Sequence, residues 1–370
     1  MNIRTFELER VQSLYENTVP YNLTESGFHP YTLEQLLSPD ELSEMNKIVL
    51  GYGQTNGAVS LRQTISNLYI DFSEENILVT NGSSEANYVV CHTLLETGDE
   101  VVMMVPNYMQ IWGIAEEMGC LPKPFHLKEE NGWRPDLEEL ASLVNEKTKM
   151  IVICNPNNPT GYVLSKDEMT AIVTIAEKHG SWIFADEIYR GAELNGPEGI
   201  SFAGMYDKAV VNGGLSKSYA LPGLRIGWLA GPQSVIADCW AYHDYTSITT
   251  NMLGEYVAEI ALKPEKRATI LNRNRKMLRE NLELATSWAV GYSDMISFIP
   301  PQAGGMLFLH YSFPKNSSDL SDWLRLEKGV FIVAGDVYGM DHHLRIGIGA
   351  EKEVLVKSFE LVSEGFKELF

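Results

Sequence analysis

The run GGLSKSYALPGLRIGW, residues 213–228, holds the residue types best suited to covalent chemistry. Lys217 stands just past an apolar stretch, residues 208–212, among small neighbours. A lysine so placed is a poor surface charge and a good amine nucleophile. Its amine can form a Schiff base with an aldehyde. Eight residues on, Arg225 supplies a planar, permanent cation that suits a phosphate. The pair fits a cofactor that bears both an aldehyde and a phosphate. Taken alone, the run also reads as a Gly/Ser-rich loop with one solvated lysine.

Two further motifs narrow the chemistry. Asn155-Pro156-Asn157-Asn158-Pro159-Thr160-Gly161 follows an apolar stretch ending at Cys154. Its prolines and glycine set a rigid turn that presents side-chain amides at the carboxyl end of a strand, where α/β sheets place ligands. By itself it is also an ordinary turn. Ala185-Asp186-Glu187-Ile188-Tyr189-Arg190-Gly191 follows a second such stretch. A carboxylate at a strand end can hold a pyridine nitrogen protonated and so make the ring an electron sink. Tyr189 can hydrogen-bond a phenolic oxygen on that ring. Asp186 and Glu187 serve equally as a charge pair at a helix N-terminus. Lys217, Arg225 and Asp186 together point to pyridoxal 5'-phosphate.

These residues need an α/β framework, and the chain is built for one. It has 370 residues, 45% of them hydrophobic, enough for a large core and two domains. Strands are expected near 77–80, 101–104, 122–126, 150–154, 182–185, 209–212 and 226–230, with helices between them. Ser83 or Ser84 is placed to cap a helix over 86–95. Ser165, with Glu168 three residues later, forms a capping-box pattern for a helix to Lys178. A helical region runs from about residue 232 to 287, broken near Lys263-Pro264. After it, strands near 297–299, 306–310, 331–333 and 343–348 alternate with helices over 318–326 and 353–369. The expected division is a large domain over 48–260 and a smaller α+β domain from 1–47 and 261–370, with the N-terminal part also placed to cover the cleft.

Composition removes several function classes. The formal net charge of −20 argues against nucleic acid. No run of about 18 apolar residues is present, so no membrane span is expected, and the N-terminus lacks a secretory pattern. Cys91, Cys120, Cys154 and Cys239 are widely spaced. They read as core thiols of a cytoplasmic protein, without a disulfide or metal site.

The order NPNNPTG, DEIYRG, GGLSKSYALPGLRIGW resembles the fold-type I pyridoxal-phosphate enzymes, specifically the class I/II aminotransferases. Asp186 follows Asn158 by 28 residues, and Lys217 follows Asp186 by 31. The likeness extends from about Gly51 to Gly349. It implies a mostly parallel seven-stranded sheet flanked by helices, with a smaller α+β domain, as in aspartate aminotransferase. It implies that Lys217 carries the cofactor and moves the proton. Asp186 would partner the pyridine nitrogen, with Asn158 and Tyr189 at the phenolic oxygen and Tyr108 stacked on the ring. Gly82, Ser83 and Ser84 open a helix whose N–H groups can cradle the phosphate, with Ser216 and Arg225 as further contacts. Tyr108 alone would be read as a half-buried loop tyrosine. Gly51–Gly57 resembles the segment that crosses to a neighbouring subunit, so Tyr52 would reach the partner's phosphate in a homodimer with shared sites. Arg345 resembles the arginine that grips the substrate carboxylate, although it also fits an ordinary strand charge.

Two departures stand out. Gly214 occupies a position where many relatives carry a hydroxyl, so one phosphate contact is missing. The segment 21–32, YNLTESGFHPYT, resembles the N-terminal segment of the capreomycidine-synthase branch, which cyclises a hydroxylated arginine. That likeness implies a substrate-side role for Thr24, Ser26, Gly27 and His29, with His29 as a second acid/base beyond Lys217. Glu9, Tyr15 and Glu16 lie upstream, and acidic groups there would suit a guanidinium or ammonium side chain. They fit a solvated helix face as well. The leading expectation is an aminotransferase acting on the α-amine of an L-amino acid through an external aldimine and quinonoid. The alternative eliminates a side-chain hydroxyl and closes a cyclic guanidine. A non-catalytic regulator is disfavoured by the intact Lys217, and a decarboxylase by Arg345.

Overall fold

The structure is a computed structural model and describes residues 3–369. The N-terminal part holds α1 (Glu7–Tyr15), β1 (Tyr21–Asn22), α2 (Leu33–Leu36), α3 (Pro39–Met45) and α4 (Val59–Ser66). The central part runs β2 (Ile77–Thr80), α5 (Ser83–Leu94), β3 (Glu100–Val105), α6 (Gln110–Glu117), β4 (Leu121–Lys128), β5 (Arg134–Pro135), α7 (Leu137–Leu143), β6 (Thr148–Cys154), α8 (Lys166–His179), β7 (Trp182–Asp186), β8 (Ala209–Gly214) and β9 (Gly227–Ala230). Next come α9 (Gln233–His243), α10 (Met252–Leu262) and α11 (Pro264–Val290). The last part is β10 (Ile296–Phe298), β11 (Met306–Tyr311), α12 (Ser317–Trp323), β12 (Val330–Phe331), β13 (Val333–Ala334), β14 (His343–Gly347) and α13 (Lys352–Leu369).

The large sheet has strand order β2-β9-β8-β7-β6-β3-β4-β5. The five strands from β8 to β4 are parallel to their neighbours, while β9 runs antiparallel to both β8 and β2. All seven expected strands are present. The eighth, β5, is a two-residue edge pair against Leu127 and Lys128. Pro135 hides it in the sequence, because proline is tolerated in sheets mainly at edges. Continuous apolar runs such as Met150–Cys154 are buried on both faces, as helix-covered parallel strands must be.

Other boundaries moved for local reasons. Helix α5 starts at Ser83 with Gly82 as its N-cap and no side-chain cap, so neither serine caps it. Gly82 has φ +82, a left-handed value that favours glycine. The Ser165–Glu168 capping box forms as the pattern predicts. The long helical region breaks a second time between α9 and α10. There Thr246 and Ser247 hydroxyls bond Glu85, and Ile248 takes a left-handed φ of +68. The strand expected at 331–333 divides at Ile332. β12 pairs with β1, whereas β13 joins the antiparallel sheet β10-β11-β14-β13. The helix expected to Leu326 ends at Trp323 and continues as a π turn over Leu324–Lys328.

The first 47 residues divide between two cores. Leu8, Leu36 and Leu37 pack with the large sheet, and Leu23 and Phe28 pack with β11, β14 and α13. The stretch from Leu23 to Phe28 therefore bridges the two. It is seated by backbone approach: a Cβ on Gly347 would land on the carbonyl oxygen of Glu25, and one on Gly305 or Gly349 would land on that of Gly27. Leu23 N–H donates to Phe331 O at 2.8 Å, and Gly347 N–H donates to Leu23 O at 2.7 Å.

Gly347→Ala forces backbone apart, and no rotamer change relieves it. It should destabilise the protein by about 1–3 kcal/mol and lower the Tm measured by calorimetry. An unchanged Tm would show that the segment is not held so closely.

Candidate functional site

The carboxyl ends of β6, β7 and β8 open into a cavity of about 320 Å³. Register explains the convergence. Cys154 pairs with Asp186, and Asp186 pairs with Asn212, so β6 and β7 end level and β8 runs on only to Gly214. The loops leaving them carry Asn158, Ile188 and Tyr189, and Ser216 and Lys217 to the cavity wall. Helix α5 adds Ser83 and Ser84 from its first turn, where no side chain caps the N–H groups. Arg225 packs so closely on Gly82 that a Cβ there would overlap its guanidinium. Oriented N–H groups, two hydroxyls and a guanidinium make an anion cradle.

The other wall comes from α1 and the small sheet. Leu8, Glu9, Gln12 and Glu16 line it with helical spacing. Tyr108 donates to Glu9 Oε1 at 2.6 Å and meets the Phe6 ring edge-on at 4.9 Å. Gln12 Nε2 donates to the Thr24 carbonyl and hydroxyl oxygens at 3.1 and 3.0 Å. Arg345 is only 2% exposed. Its Nη1 donates to Asn158 Oδ1 at 3.1 Å and its Nη2 to Thr24 O at 2.5 Å, while Nε has no partner. A buried guanidinium without a carboxylate partner, lining a cavity, is suited to an anionic ligand.

Electrostatics divides the cavity. Asp186 is buried, and burial raises its carboxyl to about 6, opposed by the Ile188 N–H at 3.1 Å and by Lys217. Burial also raises Tyr189, whose hydroxyl donates to Ser26 Oγ at 2.8 Å. Glu25 is lowered chiefly by Lys217, whose Nζ lies 3.4 Å from both carboxylate oxygens. Glu16 is raised by burial and then by Glu25 and Glu9. The floor therefore presents an amine beside a buried carboxyl, and the α1 side presents three acidic groups.

Of the residues singled out in the sequence, Glu9, Ser26, Ser83, Ser84, Tyr108, Asn158, Asp186, Tyr189, Ser216, Lys217, Arg225 and Arg345 line this one cavity. Gly27 lies behind Lys217, where a Cβ would sit 3.5 Å from the lysine Cδ. Thr24 is buried and contributes its carbonyl to Arg345. His29 is not brought to the cavity. Phe28 enters the small core and turns the chain away, so the His29 ring faces Glu351 at 3.4 Å on the other side. Tyr52 is also outside, 85% exposed beside the similarly exposed Val49 and Leu50. Sequence reading passed over Glu25, Gln12, Asn87 and Asn212. Glu25 stood inside the quoted segment, but nothing in a linear pattern says which of its side chains turns toward Lys217. Asn212 Nδ2 reaches Asn87 Oδ1 at 2.5 Å from within a strand that reads as plain core.

The family model for aminotransferase class I and II matches residues 27–357. Capreomycidine synthase of Streptomyces vinaceus is 28% identical over 347 residues, covering 93% of this chain and 89% of that protein. Aspartate aminotransferase of Pyrococcus horikoshii is 27% identical, covering 89% and 88%. Among solved structures, a PLP-dependent aminotransferase from Streptococcus suis superposes with a TM-score of 0.94 at 34% identity, covering 100% of this chain and 99% of that one. The PLP-dependent cyclase OrfR shares the fold, with a TM-score of 0.91 at 23% identity.

The raised carboxyl of Asp186 has a thermodynamic consequence. Its contribution to stability is full below the unfolded-state value of about 3.9 and is lost as pH rises through about 6. Asp186→Asn removes the ionisation. In cofactor-free protein the variant should be more stable than the parent at neutral pH, by on the order of 3 kcal/mol at most. The difference should vanish at acidic pH. Tm against pH for both proteins tests this, and parallel curves would refute it.

Proposed function

Because the chain belongs to the class I and II aminotransferase family and uses pyridoxal phosphate, we propose that it acts on the α-amine of an L-amino acid and transfers that amine to a 2-oxo acid. The observation that carries this reading is the meeting of Lys217, Asp186 and Arg345 in one cavity, on three different parts of the chain. The residues present fit the cofactor. Gly82 leaves room for Arg225 against the uncapped start of α5, where a phosphate would be held with Ser83, Ser84 and Ser216. When bound, pyridoxal phosphate supplies an aldehyde for the amine and a ring that accepts the electron pair left on Cα.

The chain's own residues do the rest. Lys217 provides the amine that holds the cofactor and then moves the proton at Cα. Asp186, buried with Lys217 as a nearby cation, would hold a proton on the ring nitrogen of the bound cofactor. Asn158 and Tyr189 would serve the cofactor's phenolic oxygen, and Tyr108 would lie against its ring. Arg345 orients the substrate through its carboxylate, and its unpartnered Nε is free for that contact. Positioning of this kind converts an encounter into a near-unimolecular step.

A second reading rests on the acidic wall. Glu9 and Glu16 line the cavity on the face opposite the lysine. A substrate with a guanidinium or ammonium side chain would find its counter-charge there. Such a substrate carrying a side-chain hydroxyl could lose water after Cα deprotonation, with a guanidine nitrogen adding back to close a ring. This net loss of water needs no acceptor. The likeness to capreomycidine synthase supports it. His29 is not part of this reading, since its ring lies away from the cavity.

The active unit in this reading is a homodimer. Tyr52, Val49, Leu50 and Tyr245 are large and highly exposed, which is unusual for a finished surface. A closed two-fold pair covers such a patch on both copies at once.

Three experiments follow. Holo-protein is incubated with a panel of amino acids that includes arginine and hydroxyarginines, with and without a 2-oxo acid, and products are read by mass spectrometry. Turnover that requires the oxo acid is the expected result, and dehydration of a hydroxyarginine without it would favour the second reading. Lys217→Ala should lose the borohydride-reducible cofactor adduct, and an adduct retained elsewhere would remove Lys217 from its role. For the dimer, inactive Tyr52→Phe and Lys217→Ala proteins are mixed under subunit exchange. Hybrids should regain one intact site, whereas full activity from a monomer would refute the shared site.

A further inference from the structure

The lysine that reacts already has a built-in counter-ion. Lys217 Nζ is 3.4 Å from Oε1 and 3.4 Å from Oε2 of Glu25, a symmetrical approach to the carboxylate. The backbone on either side of Glu25 is pinned. Thr24 O accepts from Arg345, and Ser26 Oγ accepts from Tyr189. Gly347 packs on the Glu25 carbonyl, and Gly305 and Gly349 pack on that of Gly27. The loss of a Cβ at three successive contact points is what lets an acidic residue approach the lysine from the N-terminal segment. The backbone that carries this carboxylate is thus fixed, although the side chain itself is about half exposed.

We propose that Glu25 is the counter-ion of the reacting nitrogen, favouring its protonated form when that nitrogen is joined to the cofactor and again once the freed amine has taken up a proton. This rests on the reading of Lys217 as the cofactor-bearing residue. The chemical consequence is direct. A protonated carbon–nitrogen double bond is the better electrophile. With the cofactor bound, a substrate amine would form its new bond to that carbon as the bond to Lys217 breaks, and Lys217 would leave as a neutral amine, its second proton coming from the substrate nitrogen. The released amine is then neutral and able to take the proton at Cα, and Glu25 beside it would stabilise the ammonium that results.

Other charged or titratable groups face the same nitrogen. Glu16 looks in from α1, Asp186 from the end of β7 and Tyr338 from the turn before β14, and each interacts with Lys217. Arg345 acts on Glu25 in the same sense as Lys217, favouring its ionised form. Glu25 is the carboxylate in hydrogen-bond reach. Its side chain is about half open to the cavity, which screens the pair in water. Ligands that displace that water strengthen it.

The test is a pH titration of the visible absorbance of cofactor-loaded protein, which reports the protonation of the linked nitrogen without turnover. Parent, Glu25→Gln, Glu25→Asp and Glu16→Gln are compared, with circular dichroism confirming that each is folded. The midpoint should fall by about one unit or more in Glu25→Gln, fall less in Glu25→Asp, and fall less again in Glu16→Gln. Equal midpoints in the parent and Glu25→Gln overturn the assignment, as does a Glu16→Gln shift as large as that of Glu25→Gln. If Glu25→Gln does not fold, an unmoved midpoint in Glu25→Asp overturns it. A parent protein with no lysine-linked chromophore would sink this inference together with the reading of Lys217. A normal chromophore indifferent to Glu25 would sink this inference alone.

Discussion

A carboxyl group buried at the end of β7 is the constraint around which the cavity is arranged. Asp186 is removed from water by parallel strands on both sides, and its ionised form is costly there unless a cation is supplied. Lys217 is the nearest such charge in the chain, delivered by the next strand over. Because β6 and β7 end level and β8 ends two residues beyond, at Gly214, the loops that follow them open onto the same space. The sheet thus brings together groups 28 and 31 residues apart in sequence without any long-range search for side-chain fit. Ligands of open α/β sheets sit at such strand ends for this reason.

The second half of the cavity is made by a different device. The segment from Leu23 to Phe28 crosses from the small sheet to the lysine, held by backbone contacts that only glycine permits at 305, 347 and 349. Arg345 lies on β14 beside those glycines and ties the same segment to the Asn158 turn of the large sheet. Substrate-facing chemistry is therefore coupled to the packing between the two sheets. A shift of the small sheet would move Arg345 and Glu25 together relative to Lys217 and Asp186.

Charge is distributed with a purpose that net composition conceals. A chain with a formal charge of −20 concentrates its permanent cations Arg225 and Arg345 at the cavity, where anionic ends of ligands can be met. The acidic residues Glu9, Glu16 and Glu25 line the same cavity, where Glu25 and Glu9 raise Glu16 and Lys217 holds Glu25 ionised. Cations and acids thus share one cavity, a distribution suited to a zwitterionic ligand.

Much of this was legible in the linear chain. Seven strands of the large sheet followed from apolar runs bounded by turn residues, because helix-covered parallel strands have no polar face to disguise them. The lysine, the buried aspartate and the turn asparagine were marked by residue type and order at or just past strand ends where the pattern changes, while Arg345, in the middle of β14, was marked by the family likeness. What the sequence could not decide was side-chain direction in irregular backbone. Thr24 to His29 has no period from which to infer facing, so His29 looked like the titratable group of the segment while Glu25 is the one that meets Lys217. The split of residues 331–333 and the uncapped start of α5 were likewise decided by partners far away in sequence. Local propensity sets which elements form. Only the packing of one sheet against the other determines which side chains end up sharing a cavity.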